Sequence, residues 1–109
     1  MTVPRRLHHI WLGPRDVPDE WVKAWRAAHP GWDYRLWRED DISLLPLPAR
    51  SKWDALLDAE CWHGAADVAR LELLWRFGGV YVDIDSKPLR SFDGAPFMDA
   101  DTFAAYEPV

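Results

Sequence analysis

The sequence predicts an α/β domain with a mostly parallel sheet flanked by helices. Three observations carry that prediction. Short runs of β-branched and aromatic residues alternate with helical stretches, Gly and Pro pairs punctuate the boundaries, and no internal repeat or low-complexity tract interrupts the alternation. At 109 residues the chain has the length of one domain, since domains cluster near ~100–150 residues, and it is read as a single domain over 1–109.

Leu7-His8-His9-Ile10-Trp11-Leu12 is a short apolar run ended by Gly13-Pro14, too short for a helix, and reads as the first strand. After Pro18, acidic Asp19 and Glu20 open a helix in which Trp21 and Trp25 stand at i and i+4, and Pro30-Gly31 stops it. Tyr34-Arg35-Leu36-Trp37 alternates and is aromatic-rich, which makes strand, helix, strand of the opening forty residues and implies a right-handed βαβ unit. A helical turn over 40–45, broken by Pro46 and Pro48, precedes a helix over 51–60 with Trp53, Leu56 and Leu57 as its apolar positions. Trp62 to Phe77 is the strongest helix: Val68, Leu71 and Trp75 share a face, and Gly78-Gly79 supplies a left-handed stop. Val80-Tyr81-Val82-Asp83-Ile84-Asp85 then reads as a central strand, and 102–106 as a last one.

Composition narrows the function. Thirteen basic against eighteen acidic residues give a net charge of -5, and no basic cluster exceeds Arg5-Arg6, so a nucleic-acid backbone is an unfavourable partner. The single cysteine, Cys61, has no partner for a disulfide or a zinc site and reads as a small buried hydrophobe. No apolar run approaches the ~18 residues of a membrane span. The N-terminus passes from Arg5-Arg6 directly into a strand without a cleavable signal pattern, from which a cytoplasmic location is expected.

Chemistry concentrates at two strand ends. On an extended strand Asp83 and Asp85 project from one face about 6.5 Å apart, with Ile84 turned to the core. Taken alone, the pair reads as two solvated turn carboxylates; otherwise two anions so placed call for a cation, and a hard divalent ion such as Mg2+ or Mn2+ takes one or two carboxylates and completes its shell with waters and substrate phosphates. Open α/β sheets bind ligands beyond the carboxyl ends of their strands. If the first strand and the Asp-x-Asp strand are parallel neighbours, Trp11 and the two carboxylates share a crevice suited to a nucleotide, the indole stacking on the base and the diphosphate reaching the cation; taken alone, Trp11 reads equally well as a core residue. Asp67 and Arg70, at i and i+3 on the long helix, form either a surface ion pair or a grip on a sugar hydroxyl. His8 and His9 are adjacent and face opposite sides of their strand. His29 and His63 lack partners at metal-ligand spacing and read as structural or exposed. Asp99 and Asp101 sit in loop sequence and read as solvated.

Taken in order, His8-His9-Ile10-Trp11-Leu12-Gly13, His29-Pro30-Gly31-Trp32, Ala66-Asp67-Val68-Ala69-Arg70 and Phe77-Gly78-Gly79-Val80-Tyr81-Val82-Asp83-Ile84-Asp85 resemble the blocks of the DXD-containing sugar transferases. That family includes initiating α-mannosyltransferases and the glucosyltransferase domains of clostridial toxins, and the resemblance runs from Pro4 to Glu107. It implies a GT-A-like (Rossmann-like) fold, a nucleoside diphosphate sugar donor carrying UDP or GDP, Mn2+ or Mg2+, and hexosyl transfer to an acceptor with retention. By the same resemblance Trp11 stacks on the base and Asp67 and Arg70 hold the donor sugar. Asp83 contacts ribose and sugar, Asp85 ligates the metal with Asp83 beside it, and Tyr81 belongs to the donor site. Ala66 stands where the family commonly has Ser.

The chain is short beside members of that family. The expectation is therefore either a minimal transferase, a homo-oligomer whose neighbouring subunit supplies the missing walls, or a non-catalytic nucleotide-sugar-binding remnant or interaction module. A haloacid-dehalogenase-like phosphatase, with Asp83 as nucleophile, is the other enzyme class compatible with the motif. Too little sequence follows Asp85 for its later motifs.

Overall fold

A computed structural model describes residues 3–95 and Met98. The strand expected over 102–106 and the Asp99/Asp101 pair lie outside them. The elements run β1 (Arg6–Ile10), α1 (Asp19–Ala28), β2 (Asp33–Trp37), α2 (Glu39–Ser43), α3 (Arg50–Asp58), α4 (Trp62–Phe77) and β3 (Val80–Tyr81). The described strands form one sheet in the order β2-β1-β3. Both pairings are parallel, with Leu7 opposite Tyr34 on one side and Val80 on the other. The first and last of these strands are thus the neighbours that a shared crevice requires.

Alternation along β1 divides the core between two faces. His8 and Ile10 look toward Trp37, Phe77 and the α2–α4 side, where Ile42, Trp53, Ala65, Ala69 and Leu73 are buried. Leu7 and His9 look toward Trp25 and the α1 side, where Val3, Trp32, Val80 and Met98 close the layer. Full burial of a Leu or Ile side chain stabilises by about 1.5–3 kcal/mol. The side chains of Leu7, Ile42 and Leu73, all at most 1% exposed, therefore count among the principal contributors.

Two expectations need correction. The Val68, Leu71 and Trp75 stripe is not the buried face of α4: Ala65, Ala69 and Leu73 face inward, whereas Leu71 is 66% and Trp75 85% exposed. Small alanines let the helix approach the sheet closely, and that closeness, invisible to a hydrophobicity pattern, decides the facing. Nor does the last strand reach Asp85. Val82 N–H still bonds the His8 carbonyl at 3.2 Å, but the Ser86 N–H turns back to the Asp83 carbonyl at 3.1 Å, so residues 83–86 form a turn beyond the strand end.

The passage from α4 to β3 is made by two glycines. The Gly78 N–H caps Leu74 at 2.9 Å, and Gly78 and Gly79 have φ of +66° and +95°. A Cβ on Gly79 would stand 2.5 Å from the Arg6 carbonyl oxygen, a separation that only a backbone shift could relieve. His8 secures the junction: its Nε2–H donates to the Gly78 carbonyl at 2.8 Å and its Nδ1 accepts the Trp37 indole N–H at 3.1 Å. A carbonyl can only accept and an indole can only donate, so the ring is a neutral, single tautomer. Burial, the largest influence, holds its pKa below the ordinary histidine value.

Gly79→Ala is expected to destabilise by about 2 kcal/mol or more, from positive φ plus overlap with β1. Gly94→Ala, also at positive φ (+80°) but with nothing within 4 Å, should cost about 1 kcal/mol or less. Equilibrium urea unfolding of the two variants checks the difference.

Candidate functional site

The carboxyl ends of β1 and β3 lie side by side, and the N-terminal half of α4 comes up beside them. A Cβ on Gly13, in the loop after β1, would be 2.9 Å from the indole nitrogen of Trp62, the first residue of α4. That loop begins with Trp11, whose N–H bonds the Trp37 carbonyl at 3.0 Å as β1 leaves the sheet. The Trp11 ring is half-buried, and its indole N–H donates to the Arg15 carbonyl at 2.8 Å. It is not a core residue.

Asp83 and Asp85 are both exposed and Ile84 between them is buried. The alternation expected of a strand persists in a turn, with Ile84 as the anchor. The Ser86 hydroxyl also donates to the Asp83 carbonyl, at 2.5 Å, so one residue closes the turn twice. The extended-strand spacing of the two carboxylates does not apply here; both project from the turn into solvent.

Tyr81 links this turn to α4. Burial, and then the Asp83 carboxylate through its charge and as an acceptor for the hydroxyl, push the phenol's pKa up, while the Arg70 guanidinium works in the opposite direction. The Tyr81 hydroxyl is thus a permanent donor at neutral pH, and Asp83, Asp67 and Arg70 all act on it. Arg70 Nη2 lies 3.6 Å from Asp67 Oδ1, both side chains about half exposed. In water such a pair contributes at most a few tenths of a kcal/mol, so neither side chain is locked to the other and both can turn to a ligand.

The structure thus pairs Asp67 with Arg70 on α4, near enough to Tyr81 at the end of β3 for their charges to act on it, and sets Asp83 and Asp85 in the turn that follows, with Trp11 on the loop after the neighbouring β1. Among the described residues no group of three or more His, Cys, Asp or Glu could hold a metal by itself. Two carboxylates open to solvent are nonetheless the donor set from which a Mg2+ or Mn2+ ion is completed by waters and phosphate oxygens, so the residues fit a cation that arrives with its phosphates.

Beneath the site lies His9, fully buried, with ring contacts to Trp25 and Tyr34. Its Nδ1 lies 2.7 Å from the Tyr34 hydroxyl, and its Nε2 has no hydrogen-bond partner among the described residues. Burial pulls its pKa down to about 4, with the Asp83 charge pulling the other way. Sequence reading also passed over Trp25 as more than an apolar position, and over Ser86. The Trp25 indole N–H donates to the Ser86 carbonyl at 2.8 Å across 61 residues, and no local pattern carries that signal. His29 is structural: its Nδ1–H donates to the Trp25 carbonyl and its Nε2 accepts the Phe92 N–H, both at 3.0 Å. His63 is exposed.

Because folded His9 resists protonation that the unfolded chain accepts near pH 6.5, its contribution to stability is complete above that pH. It declines as the pH falls toward 4, by up to about 1.4 kcal/mol per unit. His9→Asn should lower stability at pH 7 yet lose less between pH 6.5 and 4, as urea titrations across that range would show.

Residues 18–104 match the family described as the glycosyltransferase sugar-binding region containing DXD motif. The chain is 26% identical over 96 residues to inositol phosphoceramide mannosyltransferase 3 of Schizosaccharomyces pombe, covering 84% of this chain and 27% of that protein. It is 28% identical to inositol phosphoceramide mannosyltransferase 1 of the same yeast, over 93% of this chain and 33% of the relative. A mannosyl phosphorylinositol ceramide synthase of Saccharomyces cerevisiae is 29% identical over 84% of this chain and 25% of its own. The chain thus spans about a quarter to a third of these relatives. Among solved structures, the PaToxG glycosyltransferase superposes with a TM-score of 0.72 at 18% identity, over 84% of this chain and 45% of that one, which establishes the GT-A-like fold.

Proposed function

The chain belongs to the DXD-containing glycosyltransferase family, and from that premise we propose that it is the donor-binding core of a metal-dependent transferase that moves a hexose from a nucleoside diphosphate sugar to an acceptor. The relatives' names make mannose the first sugar to test. The observation that supports the proposal is the exposed Asp83–Asp85 pair in the turn that follows β3, at the carboxyl end of the parallel neighbour β1 and beside the Trp11 loop.

In this reading Asp85, with Asp83 beside it, holds a Mn2+ or Mg2+ ion. A bound cation supplies charge neutralisation for the departing diphosphate. The chain's own residues do the rest. Trp11 offers an indole face to the base, for about 1–3 kcal/mol if stacking on single-stranded nucleic acid is a guide. Arg70 and Asp67, released from each other, donate to and accept from sugar hydroxyls. Asp83 accepts from ribose and sugar, and the Tyr81 hydroxyl steadies Asp83. Transfer breaks the bond between the sugar's anomeric carbon and the diphosphate and forms one to an acceptor oxygen, whose proton leaves. With retention, the new bond lies on the face the diphosphate vacated.

Donor binding should be metal-dependent. Calorimetric titration with UDP- and GDP-sugars, in Mn2+ and in chelator, should show Asp85→Asn weakening binding more than Asp83→Asn. Trp11→Ala should weaken the nucleotide alone about tenfold while leaving the melting temperature nearly unchanged. Equal affinity with and without Mn2+ would sink the metal role.

We also propose that a second copy of the chain covers the exposed Leu71 and Trp75 face of α4, since apolar patches of this kind are commonly closed by symmetric partners. Sedimentation velocity at low micromolar concentration should show a dimer or larger species, and Trp75→Glu should shift it toward a 12.7 kDa monomer.

A further inference from the structure

The segment that carries the two motif aspartates has little regular structure of its own. After β3 ends at Tyr81, residues 82–95 contain no helix or strand, yet Asp83 and Asp85 must converge on one ion if the reading above holds. The turn from Asp83 to Ser86 is held at both ends. At its start, Val82 N–H is tied to the His8 carbonyl of β1. At its close, Ser86 directs its N–H and hydroxyl back to the Asp83 carbonyl, and its own carbonyl accepts the Trp25 indole N–H at 2.8 Å.

Trp25 is itself immobilised. It is 5% exposed, stacks on His29 at a 5.7 Å centroid distance and meets His9 edge-on at 6.0 Å. A buried indole N–H is costly to leave unpaired, so the ring holds its acceptor rather than being held by it. Helix α1 lies on the far side of the sheet from α4, which places the brace outside the donor crevice.

We infer that Trp25 is a positioning residue for the cation site, its indole N–H fixing the Ser86 carbonyl and thereby the direction in which Asp85 projects. The inference rests on the assignment of Asp83 and Asp85 to a divalent ion. Trp25 touches neither ion nor donor; it acts through the turn.

The test is Mn2+ binding to the whole chain, followed by the electron paramagnetic resonance signal of free Mn2+, with UDP and, in a parallel series, GDP present. Trp25→Phe keeps an aromatic ring and removes the N–H; loss of one hydrogen bond's worth of preorganisation should weaken Mn2+ binding by about three- to tenfold. Trp53→Phe is the control, because that fully buried indole donates to Ser43 Oγ at 3.1 Å in the opposite core layer. It should lower the melting temperature comparably and leave Mn2+ affinity as in the wild type.

Wild-type affinity in Trp25→Phe, with binding lost in Asp85→Asn, overturns the positioning role alone. Undiminished binding in Asp85→Asn overturns the cation assignment and the inference with it. Should Trp25→Phe fail to fold, indole hydrogen exchange in the wild type decides. Mg2+ with UDP or GDP is expected to slow exchange at Trp25 but not at Trp53, and equal rates with and without the ion overturn the inference.

Discussion

The approach of the Gly79 backbone to the Arg6 carbonyl is the constraint from which the rest of the molecule follows. Two strands can pair only at hydrogen-bonding separation, and here the second strand arrives directly from a sixteen-residue helix with two residues to turn in. Positive φ at both glycines turns the chain, and the missing Cβ at Gly79 lets Val80 fall opposite Leu7. Once that pairing is set, Tyr81 stands beside His8, Val82 completes the last ladder bond, and the Asp83–Ser86 turn is delivered to the carboxyl end of β1. The chemistry of the site is thus a consequence of a steric fact four residues upstream of Asp83.

The abundance of tryptophan has a common physical reason. Trp11, Trp25, Trp32, Trp37 and Trp53 each give their indole N–H to a fixed acceptor: the carbonyls of Arg15 and Ser86, the Asp93 carboxylate, His8 Nδ1 and Ser43 Oγ. Four of the five are buried, where a phenylalanine would pack but could not bind. The irregular segment after β3 is held largely by such bonds. Trp25 takes Ser86, His29 takes the Phe92 N–H, and Trp32 with Arg5 takes Asp93, whose carboxyl the Trp32 and Arg5 hydrogen bonds keep below its ordinary pKa. Large rings with one polar edge substitute for the ladder bonds that a longer strand would have made.

The alternation of elements was legible because each carries a local signal: Asp19 and Glu20 after Pro18 for α1, Gly78-Gly79 for the end of α4, alternating aromatics for β2. The order of site residues along the chain was legible for the same reason, each lying at a strand end or on a helix turn. What escaped depends on distance rather than pattern. The buried face of α4 is chosen by two alanines that fit against the sheet, not by its largest apolar residues. The length of β3 is set by a turn that Ser86 closes. The roles of Trp25 and His9 lie in partners remote in sequence, and no window of neighbouring residues contains both halves of such a bond.

The central position of β1 has a further effect, on the order in which the chain assembles. Its contacts with β2 close modest loops, His9 reaching Tyr34 across 25 residues, whereas those with the α4–β3 junction close a long one, His8 reaching Gly78 across 70. Loop-closure entropy and the slowness of non-local parallel pairing both favour the βαβ unit forming first. On that order the junction with Gly79 would dock onto a strand already in place, with the acidic turn forming last. A newly made chain would acquire its scaffold before its affinity, so that ligand present during the final docking step could draw that step forward.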